Sequence, residues 1–117
     1  MTGFSAEWLA LREPADHRAR DQALQNNICE QLEAVARTEQ RAVRLIDLGC
    51  GSGSNLRALA PRLPAQQHWT LVDYDPLLLA AARAALIVWA DQVVSDNAIL
   101  TLRKSTKTIE VEFAQVD

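Results

Sequence analysis

The sequence predicts an α/β domain with a parallel, doubly wound sheet, and two stretches of the chain lead to this prediction. The short, nearly unbroken apolar run Val43–Leu48 ends in a glycine-rich turn, as a buried parallel strand does. A helical segment follows, and then a second apolar run, His68–Val72, which leads directly into Asp73. Two helical segments precede the first run and another follows the second, so the order is α-α-β-α-β-α. This order is typical of a doubly wound α/β domain.

The length and charge of the chain limit what it can do. At 117 residues it supports one domain with a modest core. Its 12 Lys and Arg residues against 15 Asp and Glu give a net charge of −3, which argues against a nucleic-acid partner. The longest apolar run, Leu77–Ala90, is interrupted by Arg83 and is too short to span a bilayer. We therefore expect no membrane span.

The cysteine and histidine residues give no sign of a catalytic or metal site. Cys29 and Cys50 belong to no CxxC motif and have no histidine in a ligand pattern, so we predict neither a disulfide nor a metal site. We interpret Cys50 as a small loop residue rather than a nucleophile. His17 and His68 have no acid, serine or cysteine at a catalytic spacing and are interpreted as surface groups. Free thiols and the lack of a signal peptide predict a cytoplasmic protein.

Residues 1–40 are predicted to be helical. Ser5 can cap a short helix that contains Trp8, and a second helix runs from Pro14 to about Arg37. Apolar residues at helical spacing in this second helix predict one stripe that packs on the rest of the domain. The stripe consists of Leu24, Ile28, Leu32 and Val35.

The middle of the chain supplies the predicted strands and their connecting helices. The first strand, Val43–Leu48, is expected to be central in the sheet and covered on both faces. Ser52 or Ser54 is predicted to cap the next helix, which buries one apolar stripe. The stripe consists of Leu56, Leu59, Ala60 and Leu63. After the second strand, Asp75 and Pro76 provide the N-cap and the first residue of another helix.

The C-terminal segment predicts a β-hairpin with the arms Ala98–Leu102 and Ile109–Phe113. In the second arm, three apolar residues alternate with Glu110 and Glu112, so one face of this arm is expected to meet water. The second arm is a candidate for the third strand of the sheet.

The glycine turn and the acid after the second strand point to a ligand that contains adenosine. A glycine turn between a strand and a helix lets the backbone approach a ligand and directs free N–H groups toward it. An acid that closes the next strand can accept hydrogen bonds from both ribose hydroxyls. Asp73 follows the last glycine of the turn, Gly53, by the distance along the chain that such a unit requires.

Two details favour one class of adenosine ligand. The pattern is Asp-x-Gly-x-Gly-x-Gly, and Ser54 stands where the third glycine of a dinucleotide motif is expected. Asp47 places a carboxylate just before the loop, where a diphosphate gains nothing from it but a cationic ligand does. A nucleotide-dependent oxidoreductase is therefore disfavoured. The stretch resembles the first two motifs of class I S-adenosylmethionine-dependent methyltransferases.

The resemblance covers roughly residues 40 to 117 and implies a Rossmann-like, three-layer methyltransferase fold. Here the fold is truncated to its first strands in the order 3-2-1, with N-terminal helices and a C-terminal β-hairpin. We expect one partial domain over residues 1–117, with helices over 1–40 and the Rossmann-like half over 41–117. An open alternative for the N-terminal segment is that it folds over the cofactor as a lid.

The resemblance also implies a role for each residue of the motif. Gly49, Cys50 and Gly51 line the methionine portion of the cofactor, and Asp47 supports its amino group. Gly53 completes the motif. The ribose and adenine contacts fall to Asp73 for the ribose diol, Tyr74 for the adenine face and Asp117 for the adenine amino group.

The implied function is that of the S-adenosylmethionine-binding portion of a methyltransferase whose acceptor is unknown. The later strands, which normally supply the acceptor pocket, are missing, so no catalytic residue can be assigned and the chain is expected to be an inactive fragment. Without the fourth strand, Val43–Leu48 leaves an apolar edge through which we expect self-association into a homo-oligomer. The alternative is a non-catalytic binding or assembly module that uses this open edge.

Overall fold

The computed structural model describes residues 5–9, 11 and 22–116. Residues 6–9 are helical, and the Ser5 hydroxyl accepts the backbone N–H of Trp8 at 3.1 Å, which confirms the predicted cap. The predicted start of the second helix, His17 and Asp117 lie outside the described residues. None of the helices among the described residues is long and apolar enough to cross a membrane.

Three longer helices, one turn of 3₁₀-helix and five strands follow in the described chain. In order, they are α1 (Gln22–Glu39), β1 (Val43–Leu48), α2 (Ser54–Leu59), the 3₁₀ turn (Ala60–Arg62), β2 (Gln66–Asp73), α3 (Pro76–Trp89), β3 (Gln92–Asp96), β4 (Ile99–Lys104) and β5 (Lys107–Gln115).

The five strands form one sheet in the spatial order β1-β2-β5-β4-β3. β1, β2 and β5 are parallel neighbours, and β4 and β3 are added in antiparallel fashion. The second arm of the predicted hairpin is therefore the third parallel strand, and the predicted order 3-2-1 is confirmed. Strand β3 was not predicted from the sequence. All of its five residues are exposed, so it has none of the alternation that marks a half-buried strand.

The core lies on one face of the sheet. Trp69 and Leu71 of β2 and Ile109 and Val111 of β5, which alternate along their strands, are 2% exposed or less. They form one cluster with Leu56 of α2 and Leu86 of α3. The predicted stripe on the segment after the glycine turn is confirmed, since three of its members are fully buried and Leu59 packs against the cluster.

The opposite face of the sheet is open. Ile46 and Leu48 of β1 are 70% and 77% exposed, so the expectation that this strand is covered on both faces is wrong. The physical reason is that all the helices of the described chain that join the core pack on the other face. The place of β1 in the sheet is not central either. Within the described residues it pairs with β2 alone, so it is an edge strand, as the truncated order 3-2-1 predicts. These residues supply two of the three layers that the fold implies.

Helix α1 is rotated relative to the predicted stripe. Ile28 and Val35 are 43% and 40% exposed, whereas Cys29 is buried and Leu32 packs against the core. Because Cys29 and Leu32 lie three residues apart, they also share a helix face. The hydropathy pattern placed the larger Ile28 on the buried face of the helix, but the helix packs through the smaller Cys29 next to it.

Candidate cofactor site

The candidate site lies at the carboxyl ends of β1 and β2. The glycine turn begins directly after Leu48, and Asp73 is the last residue of β2. Since the two strands are parallel, with Leu48 opposite Val72, the turn and Asp73 meet at the same edge of the sheet. Ligands of open α/β sheets bind at this edge.

The turn has a backbone that requires glycine. Gly49, Gly51 and Gly53 all have positive φ angles, of 67°, 56° and 81°. Other residues enter this left-handed region at a cost of roughly 1–2 kcal/mol each, which explains the alternating glycines. Gly53 is itself the N-cap of α2 and has no side-chain hydrogen bond. The prediction that Ser52 or Ser54 caps this helix is therefore wrong, since Ser54 is already its first residue.

Asp73 holds the turn in place. Its carboxylate is buried and accepts the N–H of Gly51 at Oδ2 and that of Asp75 at Oδ1, each at 3.0 Å. The neighbouring Cys50 donates its N–H to the carbonyl of Val72 at 3.0 Å. A carboxylate oxygen has two lone pairs, so Asp73 can accept a backbone N–H and a ligand hydroxyl at the same oxygen.

Asp47 places a second carboxylate on the other side of the turn. It is the penultimate residue of β1 and is half-buried. The side-chain amide of Asn55, in the first turn of α2, donates to its Oδ1 at 3.2 Å and lies 3.5 Å from Oδ2. No role for Asn55 was predicted from the sequence. The available signal was its position two residues after Gly53, in the first turn of the helix that follows the glycine turn.

The two carboxylates make the turn electrostatically negative. The pKa of the Cys50 thiol is raised to about 12, by burial first and by the charges of Asp47 and Asp73 next. The thiol is therefore neutral at physiological pH and a poor nucleophile, in agreement with the interpretation of Cys50 as a loop residue. A turn of this charge disfavours a diphosphate and favours a cation.

The end of β5 completes the edge of the site. Val116 donates its N–H to the carbonyl of Asp73 at 3.1 Å, and the side chain of Gln115 donates to the carbonyl of Tyr74 at 3.3 Å. The ring of Tyr74 is 54% exposed beside this edge. The predicted adenine contact at Asp117 lies outside the described residues. Gln115 was missed because its partner, 41 residues earlier, is brought near only by the pairing of β2 with β5.

The N-terminal helical turn reaches the glycine turn. A Cβ added to Gly51 would lie 3.0 Å from Cδ1 of Leu9. At Gly49, by contrast, such an atom would meet none of the described residues within 4 Å. One side of the turn is therefore packed by the N-terminal segment, and the other is open to a ligand.

His68 has partners that the sequence analysis did not find. Its ring nitrogens lie 3.4 Å from Glu110 and 3.2 Å from Glu112, both on β5. The spacing of residues in the sequence does not show these two acids, because it is the parallel register of β2 with β5 that sets His68 opposite Glu110. The cluster lies on the open face of the sheet, away from the glycine turn. No group of three metal-ligating side chains suited to a metal ion occurs among the described residues.

Comparisons with known proteins place the chain in a family. Residues 45–116 match the family of methyltransferase domains. A solved structure with a similar fold is that of S-adenosylmethionine-bound CalS10, an amino pentose methyltransferase from Micromonospora echinaspora involved in calicheamicin biosynthesis. The identity is 21% and the TM-score is 0.46, over 100% of this chain and 36% of that one, so the chain spans about a third of its length. No curated protein matches. Because the family match covers more than half of the sequence, the chain belongs to the methyltransferase-domain family, the class I enzymes that the glycine motif predicted and whose cofactor is S-adenosylmethionine.

Proposed function

We propose that the chain binds S-adenosylmethionine at the carboxyl ends of β1 and β2, as the cofactor-binding part of a methyltransferase. The observation that carries this proposal is the buried Asp73 carboxylate hydrogen-bonded to the N–H of Gly51. This bond brings the two halves of the motif into one site. The residues fit the ligand, because the Asp47 carboxylate suits its ammonium group, the Asp73 carboxylate suits its ribose hydroxyls, and the space beside Gly49 suits its methionine portion.

Each residue has a proposed role in holding the cofactor. The backbone of Gly49, Cys50 and Gly51 lines the methionine portion, and Gly53 ends the turn and starts α2. Asp47 supports the α-amino group. The adenosine half is bound by Asp73 at the ribose diol, by the exposed ring of Tyr74 at the adenine face and by Asp117 at the adenine amino group.

The bound cofactor supplies an electrophilic methyl group on a sulfonium. In the proposed reaction a nucleophile of the acceptor bonds to the methyl carbon, the carbon–sulfur bond breaks with its electron pair moving to sulfur, and S-adenosylhomocysteine leaves. The residues of this chain bind and orient the cofactor. The open face of the sheet supports a role as part of a larger enzyme, whose remaining parts supply the acceptor site. The buried free thiols of Cys29 and Cys50 fit a cytoplasmic setting.

Calorimetric titration with S-adenosylhomocysteine tests the proposal. Asp73→Asn should weaken binding roughly 10- to 100-fold, since hydrogen bonds to a charged group contribute about 1.5–3 kcal/mol. Asp75→Asn is the matched control. Asp75 caps α3 by accepting the N–H of Leu77 at 2.9 Å, and asparagine caps a helix about as well.

Binding should thus survive in the control variant. Wild-type protein that gives no heat at millimolar ligand while its circular dichroism shows an intact fold would contradict the proposal. Equal losses in the two variants would instead contradict the role of Asp73.

We further propose that the N-terminal helical turn at residues 6–9 acts as a lid on the site. The contact of Leu9 with Gly51 supports this role. Leu9→Ala should speed the dissociation of S-adenosylhomocysteine several-fold in stopped-flow fluorescence. Leu11→Ala is the control, because Leu11 is 82% exposed. Equal dissociation rates in both variants would refute the lid.

A second candidate function is a non-catalytic assembly module that associates with itself. The observation that favours it is the edge position of β1, whose side chains Ile46 and Leu48 are mostly exposed. An unpaired strand edge with apolar side chains favours pairing with another chain. Self-association in a folded protein that binds no S-adenosylhomocysteine would support this candidate over the first.

A further inference from the structure

Asn55 is the polar side chain of α2 that reaches the carboxylate of Asp47. Its amide nitrogen lies 3.2 Å from Oδ1 and 3.5 Å from Oδ2, so the contact extends along the edge of the carboxylate. An ionised carboxylate only accepts hydrogen bonds, which fixes the NH₂ end of the amide toward Asp47. The contact joins the C-terminal end of β1 to the N-terminal end of α2, across the glycine turn.

The backbone makes this contact possible. Gly53, with φ of 81°, serves as the N-cap and lets α2 begin at Ser54, which puts Asn55 in the first helical turn. The N–H of Arg57 donates to the carbonyl of Gly53 at 3.3 Å, which forms the first helical hydrogen bond. The position of Asn55 is thus set by the same turn that shapes the cofactor site.

The chemistry of the amide suits a positioning role. A neutral donor orients a carboxylate without neutralising it, whereas a lysine or arginine at this position would compete with a cationic ligand for the same charge. The amide of Asn55 therefore adds no positive charge beside the carboxylate.

We propose that Asn55 is a positioning residue that orients the Asp47 carboxylate toward the α-amino group of S-adenosylmethionine. This inference rests on the proposed function and adds a selectivity to it. Asn55 contributes to the binding of ligands that carry the α-amino group and not to the binding of adenosine thioethers that lack it.

Two ligands separate this role from a structural one. S-adenosylhomocysteine has the amino-acid portion, and 5′-methylthioadenosine has the same adenosine and thioether without it. In calorimetric titrations of the purified protein, Asn55→Ala should weaken S-adenosylhomocysteine about tenfold, as the loss of a charge-assisted hydrogen bond does. Its affinity for 5′-methylthioadenosine should change less than about twofold. Asn27→Ala is the matched control, since Asn27 is an exposed helical asparagine that accepts only a weak bond from Gln31 at 3.4 Å.

A double-mutant cycle with Asp47→Asn completes the test. If Asn55 acts through Asp47, adding Asn55→Ala to Asp47→Asn should produce no further loss of S-adenosylhomocysteine affinity. Asn55→Ser provides a second variant, since serine is accepted at a helix start but is too short to reach Asp47. It should show the same selective loss.

Each other outcome has a distinct meaning. Equal losses of affinity for both ligands would show that Asn55 only holds the turn together. No loss for either ligand would show that Asn55 contributes nothing to binding. Both results overturn the inference while the proposed function stands. Wild-type protein that binds neither ligand would overturn the proposed function and this inference with it.

Discussion

One face of the sheet lies under the helices, and the other carries side chains that stay in contact with water. The difference is clearest at two neighbours in β2. Gln67 points to the helix-covered face, where its amide donates to the carbonyls of Ala60 at 2.8 Å and Pro64 at 2.9 Å. Its carbonyl accepts the indole N–H of Trp69 at 2.9 Å. His68, the next residue, points to the open face and pairs there with two half-exposed glutamates.

The two faces therefore differ in what they contribute: the covered face stabilises the fold, and the open face offers a surface for association. On the covered face every buried polar group of Gln67 has a partner, as a packed interior requires. On the open face the carboxyl end is apolar at Ile46 and Leu48, and the middle is charged. The candidate site lies at the carboxyl ends of β1 and β2, next to both faces of the sheet. We therefore expect substitutions on the two faces to differ in kind, with stability affected on one face and association on the other.

The largest effect is expected from a cavity on the covered face. Leu102 of β4 is fully buried in the core cluster, so Leu102→Ala should lower the free energy of unfolding by about 2–5 kcal/mol. Leu48→Ala removes the same atoms from the open face and should cost less than about 0.5 kcal/mol. Denaturant unfolding followed by circular dichroism measures both. Similar losses would mean that the open face is covered in solution.

The next effect comes from the pair of neighbours in β2. Gln67→Leu removes the side-chain partner of the buried Trp69 indole N–H and of the Pro64 carbonyl, and one of the two donors to the Ala60 carbonyl, so it should cost roughly 2–3 kcal/mol of stability. His68→Leu removes contacts with two partly exposed glutamates and should cost less than about 1 kcal/mol. Denaturant unfolding followed by Trp fluorescence compares the two variants. The comparison of the faces fails if His68→Leu proves the more damaging change.

The contrast also explains what could be predicted from the sequence. The glycine turn and the Asp75 cap depend on residues close together in the chain, and Asp73 follows the turn at a spacing typical of the motif, so the sequence was enough to point to all three. The partners of His68 and Gln115 depend on the register between β2 and β5, which spacing does not show. Hydropathy showed that β1 is apolar on both faces, but it could not show that one face has no neighbour among the described residues.

A third, smaller effect concerns association through the unpaired edge of β1. Wild-type protein should self-associate at high concentration, and Ile46→Lys should weaken this association roughly tenfold, because lysine on an edge strand opposes pairing. Val88→Lys is the control, since Val88 is 86% exposed and lies on α3, outside the sheet. Sedimentation velocity over a range of concentrations measures both. A wild-type protein that stays monomeric throughout would refute the unpaired edge of β1 as an interface.

The smallest effect tests how well the covered face shields the glycine turn. The pKa of Cys50 is raised from 9.0 to about 12, by burial first and by the charges of Asp47 and Asp73 next. The unfolded chain therefore loses this proton at lower pH than the folded one, so the contribution to stability is complete below pH 9 and falls as the pH rises toward 12. Cys50→Ser, which does not titrate in this range, removes this dependence. The difference in unfolding free energy between wild type and variant should stay constant from neutral pH to about pH 9, and then shift against the wild type by roughly 1 kcal/mol at about pH 10. A constant difference through that range would show that water reaches the thiol, and that the turn is as open as the bare face of the sheet.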